Sequence, residues 1–242
     1  MCNFFSAIVT KTGQVYYDKD IDSHEELIKT HKLDDKQEPM LRNWCRIELL
    51  PPNERIADLK DFKPEEWKFK IDEPANVDWI EPKHEKACRK ALQKCYKEYV
   101  VVKGKTENKK GRLLLLNNSR SENRDSSSSE NWDSSSSENW DSSRSVNWDN
   151  SKSENRDNSS SENWDNSSSE NRDNSSSENW DNSSSENRDN SSSENWNNSQ
   201  TVISYLSSAK QENVELHDNS VLINHRDKII VIPKSYKVEY HS

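Results

Sequence analysis

The sequence predicts an α+β domain at the N-terminus, followed by an all-β solenoid (β-helix) of 8/16-residue repeats with apolar caps. Three observations lead to this prediction. A stretch of ordinary mixed composition precedes an array of eight-residue units, the array has a true period of sixteen, and apolar segments flank it on both sides. Self-similarity at a fixed period is typical of solenoids, in which each coil stacks on its neighbours.

Shifts in composition divide the chain into four segments. We expect residues 1–102 to form the small α+β domain and residues 103–116 to form a charged connector with an N-terminal cap. Residues 117–200 are then the solenoid, and residues 201–242 an apolar C-terminal cap and tail. Repeat proteins need such caps, whereas a disordered spacer does not. The "LLLL" of Leu113 to Leu116 is the first cap, or a first coil laid against the repeats.

The opening of the α+β domain predicts a hairpin and then a helix. "NFFSAIVTKTGQVYY" contains two β-rich runs that meet at Thr12-Gly13, which suits a tight turn. Ser23, with Glu26 three residues later, forms a capping box in "SHEELIKTH". A helix is therefore expected to start after Ser23.

Two further strands and a long helix follow. "NWCRIELLPP" is a strand that Pro51 and Pro52 end, because proline cannot donate to a sheet ladder. Trp67, Phe69 and Ile71 alternate with polar residues, which indicates a half-buried strand. "PKHEKACRKALQKCYKEYVVV" has apolar residues at helical spacing. The predicted order of elements is β-β-α-β-β-α.

The repeat has the consensus D-N/S-S-S-S-E-N-W/R, and its last position reveals the period of sixteen. Alternate units form two series. The first series is Trp132, Trp148, Trp164, Trp180 and Trp196. The second series is Arg124, Trp140, Arg156, Arg172 and Arg188.

A coil of sixteen residues has room for two strands of about five residues and two short turns, whereas eight residues cannot enclose an interior. Asp and Asn at the first two positions suit the turns, since their side chains bond nearby backbone. Identical side chains would then stack about 4.8 Å apart along the axis. The sequence thus predicts a Trp ladder on one edge and a mostly Arg ladder on the opposite edge. We expect these ladders to be interaction surfaces; the equal alternative for the Trp ladder is that its rings pack at the corner of the coils and support only the solenoid.

Charge is concentrated in the repeat. Residues 120–199 contain 18 acidic and 7 basic side chains, although the net charge of the whole chain is only -9. An acidic array repels phosphate backbones, so we expect no direct nucleic-acid binding, and a basic protein or a cation is the favoured partner. No stretch has the length or composition of a membrane span or a secretion signal, which predicts a cytoplasmic protein with reduced thiols.

The enzyme hypothesis would depend on a few residues of the α+β domain. His84, Cys88 and Cys95, with Cys45, are the residue types of a zinc site, but no C-x-x-C occurs and both helical cysteines lie on the apolar stripe. We therefore expect buried structural cysteines and no metal site.

His24, Glu25 and Glu26 are residue types that also occur in acid–base catalysis. They fall in a first helical turn, where acidic residues are favoured electrostatically and Glu26 takes part in capping. Three glycines in the whole chain do not suffice for a phosphate loop, and the glycine-bearing calcium repeat is missing. We expect no catalytic residues, no cofactor and no enzyme activity.

"SHEELI", "NWCRIELLPP" and "VDWIEPKHEKACRKAL", followed by units such as "ENWDNSSSENRDN", resemble a group of uncharacterised phage and prophage proteins. In that group a small N-terminal domain precedes tandem Ser-rich repeats with Trp or Arg before Asp. Its repeats are usually one residue longer and carry an aliphatic residue and a methionine, which are absent here. The resemblance implies a phage-encoded cytosolic or virion-associated protein, and it implies neither an enzyme activity nor any functional residue.

These observations favour a non-enzymatic interaction protein that presents its ladders for self-association, as a homo-oligomer, or for binding a host factor. One alternative is a virion or surface-adhesion module that binds a repetitive lattice such as glycan or ice. Another is a disordered acidic spacer attached to a binding domain, because the composition alone is typical of disorder.

Overall fold

The computed structural model has two compact units, which divide between Tyr99 and Val100. It describes residues 5–33, 42–52, 62–72, 77–203, 213–224 and 229–231. Cys2 lies outside the described residues.

The first unit is an antiparallel sheet of four strands in the order β2-β1-β3-β4. The strands are β1 (Phe5–Thr10), β2 (Val15–Tyr16), β3 (Trp44–Leu50) and β4 (Lys68–Ile71). Gly13 has φ +89 in the turn between β1 and β2, a conformation that a residue without a Cβ adopts at little cost. The predicted hairpin at Thr12-Gly13 is confirmed.

Two helices complete this unit. They are α1 (His24–Thr30) and α2 (Pro82–Tyr99), and a 3₁₀ turn spans Pro64–Glu66. Ser23 caps α1, because its hydroxyl accepts from the backbone N–H of Glu26 at 3.5 Å. Ile8 of β1 and Leu27 of α1 are fully buried with Trp44 in one apolar cluster. The predicted β-β-α-β-β-α order and the α+β class are confirmed.

The second unit is a two-sided β-solenoid. One side, which we call the Arg sheet, has nine strands: β6 (Lys105–Asn108), β8 (Arg120–Asn123), β10 (Ser136–Asn139), β12 (Lys152–Asn155), β14 (Ser168–Asn171), β16 (Ser184–Asn187), β18 (Gln200–Ile203), β20 (Val221–Asn224) and β21 (Ile229–Val231). The other side, the Trp sheet, has eight: β5 (Val100–Val101), β7 (Arg112–Leu115), β9 (Ser128–Asn131), β11 (Arg144–Asn147), β13 (Ser160–Asn163), β15 (Ser176–Asn179), β17 (Ser192–Asn195) and β19 (Asn213–Leu216).

Strands sixteen residues apart pair in parallel with identical positions opposite each other, as Ser160 does with Ser176 and Glu162 with Glu178. The period of sixteen and the two-strand coil are therefore confirmed, and the strands have four residues instead of about five. Because the acidic array is folded, the alternative of a disordered spacer is wrong.

The interior of the solenoid is polar, and its inward Asn side chains are hydrogen-bonded along the axis. The third, fifth and seventh positions of each unit point inward, for example Ser159, Ser161 and Asn163, which are at most 3% exposed. Nδ2 of Asn163 donates to Oδ1 of Asn179 at 2.8 Å and to the hydroxyl of Ser169 at 2.9 Å. Buried amides are stable only when such partners are present. The ladder of amides therefore supplies hydrogen bonds that stabilise a thin core with little apolar surface to bury.

Asp residues form the corners. The N–H of Ser159 donates to the carbonyl of Arg156 at 3.2 Å and closes a turn in which Asp157 has φ 58. Asp tolerates this left-handed conformation better than most residues, because its short side chain can bond nearby backbone. The predicted placement of Asp and Asn in the turns is confirmed.

The solenoid is longer than the array. Residues 103–116, which we expected to be a connector and a cap, contain β6 and β7, and Val100–Val101 also pairs with β7. Leu113 and Leu115 face the inward columns of Ser129 and Asn131, so the four leucines belong to a first coil. The solenoid therefore starts at Val100, before the expected boundaries at residues 102 and 117. The repeat pattern does not reveal this first coil, because apolar side chains replace Ser and Asn in it.

The solenoid also continues after residue 200. β18 and β20 extend the Arg sheet, and β19 extends the Trp sheet. Ile203 takes the place of an inward Asn and is 3% exposed, while Val202 takes the place of an outward Glu. Apolar residues thus begin to replace the polar columns at this end, and β21 then turns back antiparallel to β20.

Candidate functional site

The Trp ladder is a continuous stack of indoles along one edge of the solenoid. Neighbouring ring centroids are 4.9–5.2 Å apart and their planes are within 13° of parallel. The spacing follows from the distance between paired strands. The rings are those of Trp132, Trp148, Trp164, Trp180 and Trp196.

Both ends of this stack are covered. His217 lies on Trp196 with ring centroids 3.8 Å apart and planes 7° from parallel, and Leu116 occupies the equivalent position one coil before Trp132. The indoles are half-buried. The ring faces are turned toward neighbouring coils, and Nε1 of Trp132, Trp164 and Trp180 is buried as well.

His217 is not recognisable from the sequence as a member of the ladder. The segment between β18 and β19 places it 21 residues after Trp196 instead of sixteen, so the ladder position cannot be found by counting. The aromatic side chain followed by Asp218-Asn219-Ser220, the start of a repeat, was the available signal.

The Arg ladder is tied to the Glu column beside it. The guanidinium groups of Arg156, Arg172 and Arg188 lie 2.9–3.1 Å from the carboxylates two residues before them in the chain. The hydrogen bond with Glu170 raises the pKa of Arg172. In the described part of the Arg sheet, most outward carboxylates therefore have a cation next to them.

Trp140 interrupts this ladder. Its ring lies between two guanidinium groups, 4.4 Å from Cζ of Arg156 and 5.7 Å from Cζ of Arg124. Cation–π attraction lets an indole fit between arginines. Glu138, two residues before Trp140, lacks the ion pair that its neighbours in the column have among the described residues.

The Glu column of the Trp sheet has fewer counter-charges, because indoles occupy the positions where arginines stand on the other sheet. Arg144 pairs with Glu162, and Nε2 of His217 lies 3.1 Å from Oε1 of Glu194. Within the described chain, Glu130 and Glu178 have no cationic side chain at ion-pair distance, and both are exposed.

The two outer faces consequently differ in charge. Outward positions of the Arg sheet hold the cations Lys105, Lys109, Arg120, Arg124, Lys152, Arg156, Arg172 and Arg188 and the anions Glu107, Glu122, Glu138, Glu154, Glu170 and Glu186. Those of the Trp sheet hold the cations Arg112 and Arg144 and the anions Glu130, Glu162, Glu178, Glu194 and Glu215. The Arg face is near neutral and the Trp face is acidic.

Each face also has a shallow trough between its outward Ser and Glu columns. The trough on the Trp face has a volume of about 410 Å³ and is lined by residues such as Ser176 and Glu178. The corresponding trough on the Arg face has about 440 Å³. Neither holds the convergent mix of apolar and polar groups that is usual in small-molecule sites.

Two clusters in the described residues have the composition of a metal site. His24, Glu48 and Asp72 form one, but Nζ of Lys70 lies 3.0 Å from Glu48 and 3.3 Å from Asp72 and so occupies the place of a cation. Hydrogen bonding to Glu48, and then to Asp72, raises the pKa of Lys70.

The second cluster is Glu194, Glu215 and His217, whose ligand atoms lie within 4.8 Å of one another. This set could hold a divalent cation at the end of the Trp face. His217 already has a packing role there as the last ring of the Trp stack.

Both histidines considered for catalysis have structural partners. Nε2 of His24 donates to the carbonyl of Ile47 at 2.9 Å. His84 is fully buried; its Nδ1 accepts from the N–H of Glu81 at 2.9 Å and its Nε2 donates to the carbonyl of Lys11 at 3.1 Å. His84 thus fixes the start of α2 against the β1–β2 turn. These contacts occupy both nitrogens of His84, which leaves no free nitrogen for acid–base chemistry.

The helical cysteines are buried and the structure keeps them protonated. Burial raises the pKa of Cys88 and Cys95 from the reference value of 9.0 to about 12. Because a thiolate, and not a thiol, is the nucleophile and the zinc ligand, these residues are chemically inert in the folded domain. Cys45 is also buried.

We expect thiol reagents at about pH 8 to leave Cys88 and Cys95 unmodified in the native protein and to modify both in denaturant. Since the folded pKa lies above the unfolded one, the stabilisation from these buried thiols is complete below pH 9.0 and is lost as the pH rises toward about 12. Labelling followed by peptide mass spectrometry measures this, and rapid native labelling of Cys88 would contradict it.

Comparison of the chain with protein-family models, curated proteins and solved structures found no match. The resemblance to phage proteins therefore has no support beyond the tandem Ser-rich strands themselves. In the described part of the chain, no helix has the length and apolar character needed to cross a bilayer.

Proposed function

We propose that the chain is a non-enzymatic interaction protein whose Trp face binds a positively charged protein surface. The observation that carries this proposal is the difference between the two Glu columns. On the Arg face the carboxylates are largely neutralised by arginines, whereas on the Trp face Glu130 and Glu178 are exposed without a paired cation among the described residues.

A rigid array suits this role. Its backbone and its inward Asn side chains are hydrogen-bonded from coil to coil, so little conformational freedom is lost when the outer face is covered. Carboxylates repeated about every 4.8 Å form an acidic strip with a fixed pattern. Complementary charge of this kind promotes fast and selective association.

The edge of the Trp face adds apolar contact area. Half-buried indole edges lie beside the acidic column, and Trp is enriched in the centres of protein interfaces. In the phage setting implied by the resemblance, the partner would be a basic host protein in the cytoplasm, and the small α+β domain would contribute a second binding surface.

The lattice-binding alternative has less support. Sugar rings stack on open aromatic faces, but here the faces of the indoles are covered by neighbouring coils, by Leu116 and by His217. For an ice-binding module, thermal hysteresis would be the diagnostic measurement.

The test compares two double variants that change the net charge equally. Glu130→Gln/Glu178→Gln removes the two unpaired carboxylates of the Trp face, and Glu154→Gln/Glu170→Gln removes two carboxylates of the Arg face that are paired with arginines. With decalysine as the probe, isothermal titration calorimetry should show binding about tenfold weaker for the first variant than for the second, because only the first loses unpaired carboxylates.

Equal weakening by both variants would mean that the probe senses only net charge, and absence of binding by the unmodified chain at low salt would also contradict the proposal. Circular dichroism of both variants checks that the solenoid remains folded.

A further inference from the structure

A groove in the N-terminal unit has a chemistry opposite to that of the Trp face. It lies between the β1–β2 hairpin and α2 and has a volume of about 550 Å³. Its floor includes the half-buried, mainly apolar side chains of Val15, Tyr17 and Ala91, and its rim carries Lys90, Lys94 and Lys97.

Helical spacing places the three lysines together. Residues i, i+4 and i+7 lie along one stripe of a helix, so Lys90, Lys94 and Lys97 line the same side of α2. Cys88, Leu92 and Cys95 form the buried stripe of the same helix. All three lysines are exposed.

Among the described residues, only Lys94 of these three lysines has a carboxylate at ion-pair distance. Lys94 lies 4.0 Å from Glu98, but both side chains are about half exposed or more, and such pairs contribute little. The rim is therefore positive above an apolar floor. A matching ligand needs carboxylates next to an apolar or aromatic group.

We propose that this groove binds the corner of the solenoid of a second copy, where the Trp ladder meets an acidic column. At two such corners an indole is followed by an exposed aspartate and preceded by an outward glutamate: Trp132 has Glu130 and Asp133 beside it, and Trp164 has Glu162 and Asp165. The proposal rests on the proposed function and names the partner of the same acidic surface.

The two surfaces match in shape as well as in charge. The corner is a convex edge with half-buried indole edges, and the groove is concave with half-buried apolar side chains. The lysines can pair with the corner carboxylates while the indole edge contacts the floor. The full set of groups recurs at Asp133 and Asp165, and at Asp181 with a half-buried aspartate, so more than one position is available.

Because the groove and the corner are different surfaces, the contact is heterologous. Heterologous contacts extend into open chains unless a rotation closes them into a ring. The expected product is a concentration-dependent series of oligomers instead of a closed dimer.

Sedimentation velocity of the full chain tests this. At about 50 mM salt we expect association that rises with concentration and disappears at about 500 mM salt, since screening shortens the range of charge attraction. Lys90→Glu/Lys94→Glu/Lys97→Glu should weaken association by about tenfold or more, as loss of several charge contacts implies. The matched control is Lys29→Glu/Lys68→Glu/Lys103→Glu, which changes the same charge at three other exposed lysines and should retain association.

Three outcomes overturn the inference: a wild-type chain that stays monomeric, a control that loses association equally, or a groove variant that still associates like wild type. If a monomeric wild-type chain binds decaglutamate and the groove variant does not, the groove takes another acidic partner. Decalysine binding separates the two proposals, because the groove variant should keep it through its Trp face. A wild-type chain that binds decalysine without self-associating leaves the proposed function intact and removes only this inference.

Discussion

Replacing Asn163 with alanine should lower the free energy of unfolding of the solenoid by about 3 kcal/mol, since each buried polar group left without a partner costs about 1–3 kcal/mol. Asn163 donates to Asn179 and to Ser169 and accepts from Nδ2 of Asn147 at 2.7 Å. Alanine removes all three bonds at once. Chemical denaturation, together with hydrogen exchange of the repeat, measures the change.

The expected loss exceeds the value of the bonds themselves, because the neighbours stay behind. Oδ1 of Asn179 and the hydroxyl of Ser169 would each lose a donor in a site that water does not reach, as these side chains are at most 4% exposed. A polar network that is only partly satisfied is worse than one that is absent. Exchange should therefore accelerate first in the coils on either side of residue 163.

The control is Asn166→Ala in the next turn of the same array. Asn166 is exposed, and a surface substitution of this kind usually changes stability by no more than about 0.5 kcal/mol. If both alanine variants unfold at the same denaturant concentration, the amide ladder does not stabilise the solenoid as the structure implies.

The repeat region shows why much of this fold is predictable from sequence. The alternation of Trp164 and Arg172 distinguishes a period of sixteen from one of eight, and only sixteen residues can enclose an interior. Asp at the first position marks the corner because it accepts a positive φ, as in Asp165 with φ 60. The period and the corner position together determine which residues stack on each other. The Trp ladder and the Arg ladder are therefore predictable from the sequence.

The coils at the two ends were not predictable by the same argument. Asn108 and Asn123 are 15 residues apart, and Leu115 stands in place of an Asn, so the first coil has neither the spacing nor the residues of the repeat. At the other end, the segment between β18 and β19 hides the register of His217. Both coils are recognisable only through the strands they pair with.

The difference in charge between the two faces was also not predictable from the sequence alone. The sequence shows that the array is acidic, but every unit except that of Val146 has the same Glu. Whether that Glu is neutralised depends on the side chain two residues later, because strand geometry places both on the same outer side. Arg172 can reach Glu170, while Trp180 provides no charge for Glu178. A candidate binding face therefore appears on only one sheet.

The second prediction with a large effect concerns the Trp ladder. Trp164→Arg should destabilise the solenoid by about 2 kcal/mol, because stacked aromatic pairs contribute about 0.5–1.5 kcal/mol each beyond their buried area. Trp164 stacks on Trp148 at 5.2 Å and on Trp180 at 4.9 Å, and arginine breaks both contacts. Denaturant unfolding gives the stability, and near-ultraviolet circular dichroism reports the loss of coupled indoles.

Trp140→Arg is the matched control, since the substitution is the same and only the column differs. Trp140 stands between Arg124 and Arg156, where arginine is the residue of the equivalent units, and Glu138 is placed to pair with it as Glu154 pairs with Arg156. The lost cation–π contacts, at about 0.5–1 kcal/mol each, are offset in part by the new ion pair with Glu138. We expect a change of less than about 1 kcal/mol at residue 140. Equal destabilisation at residues 140 and 164 would show that each indole stabilises the solenoid only through its own buried area. Stacking between the indoles would then not contribute to the stability of the Trp face.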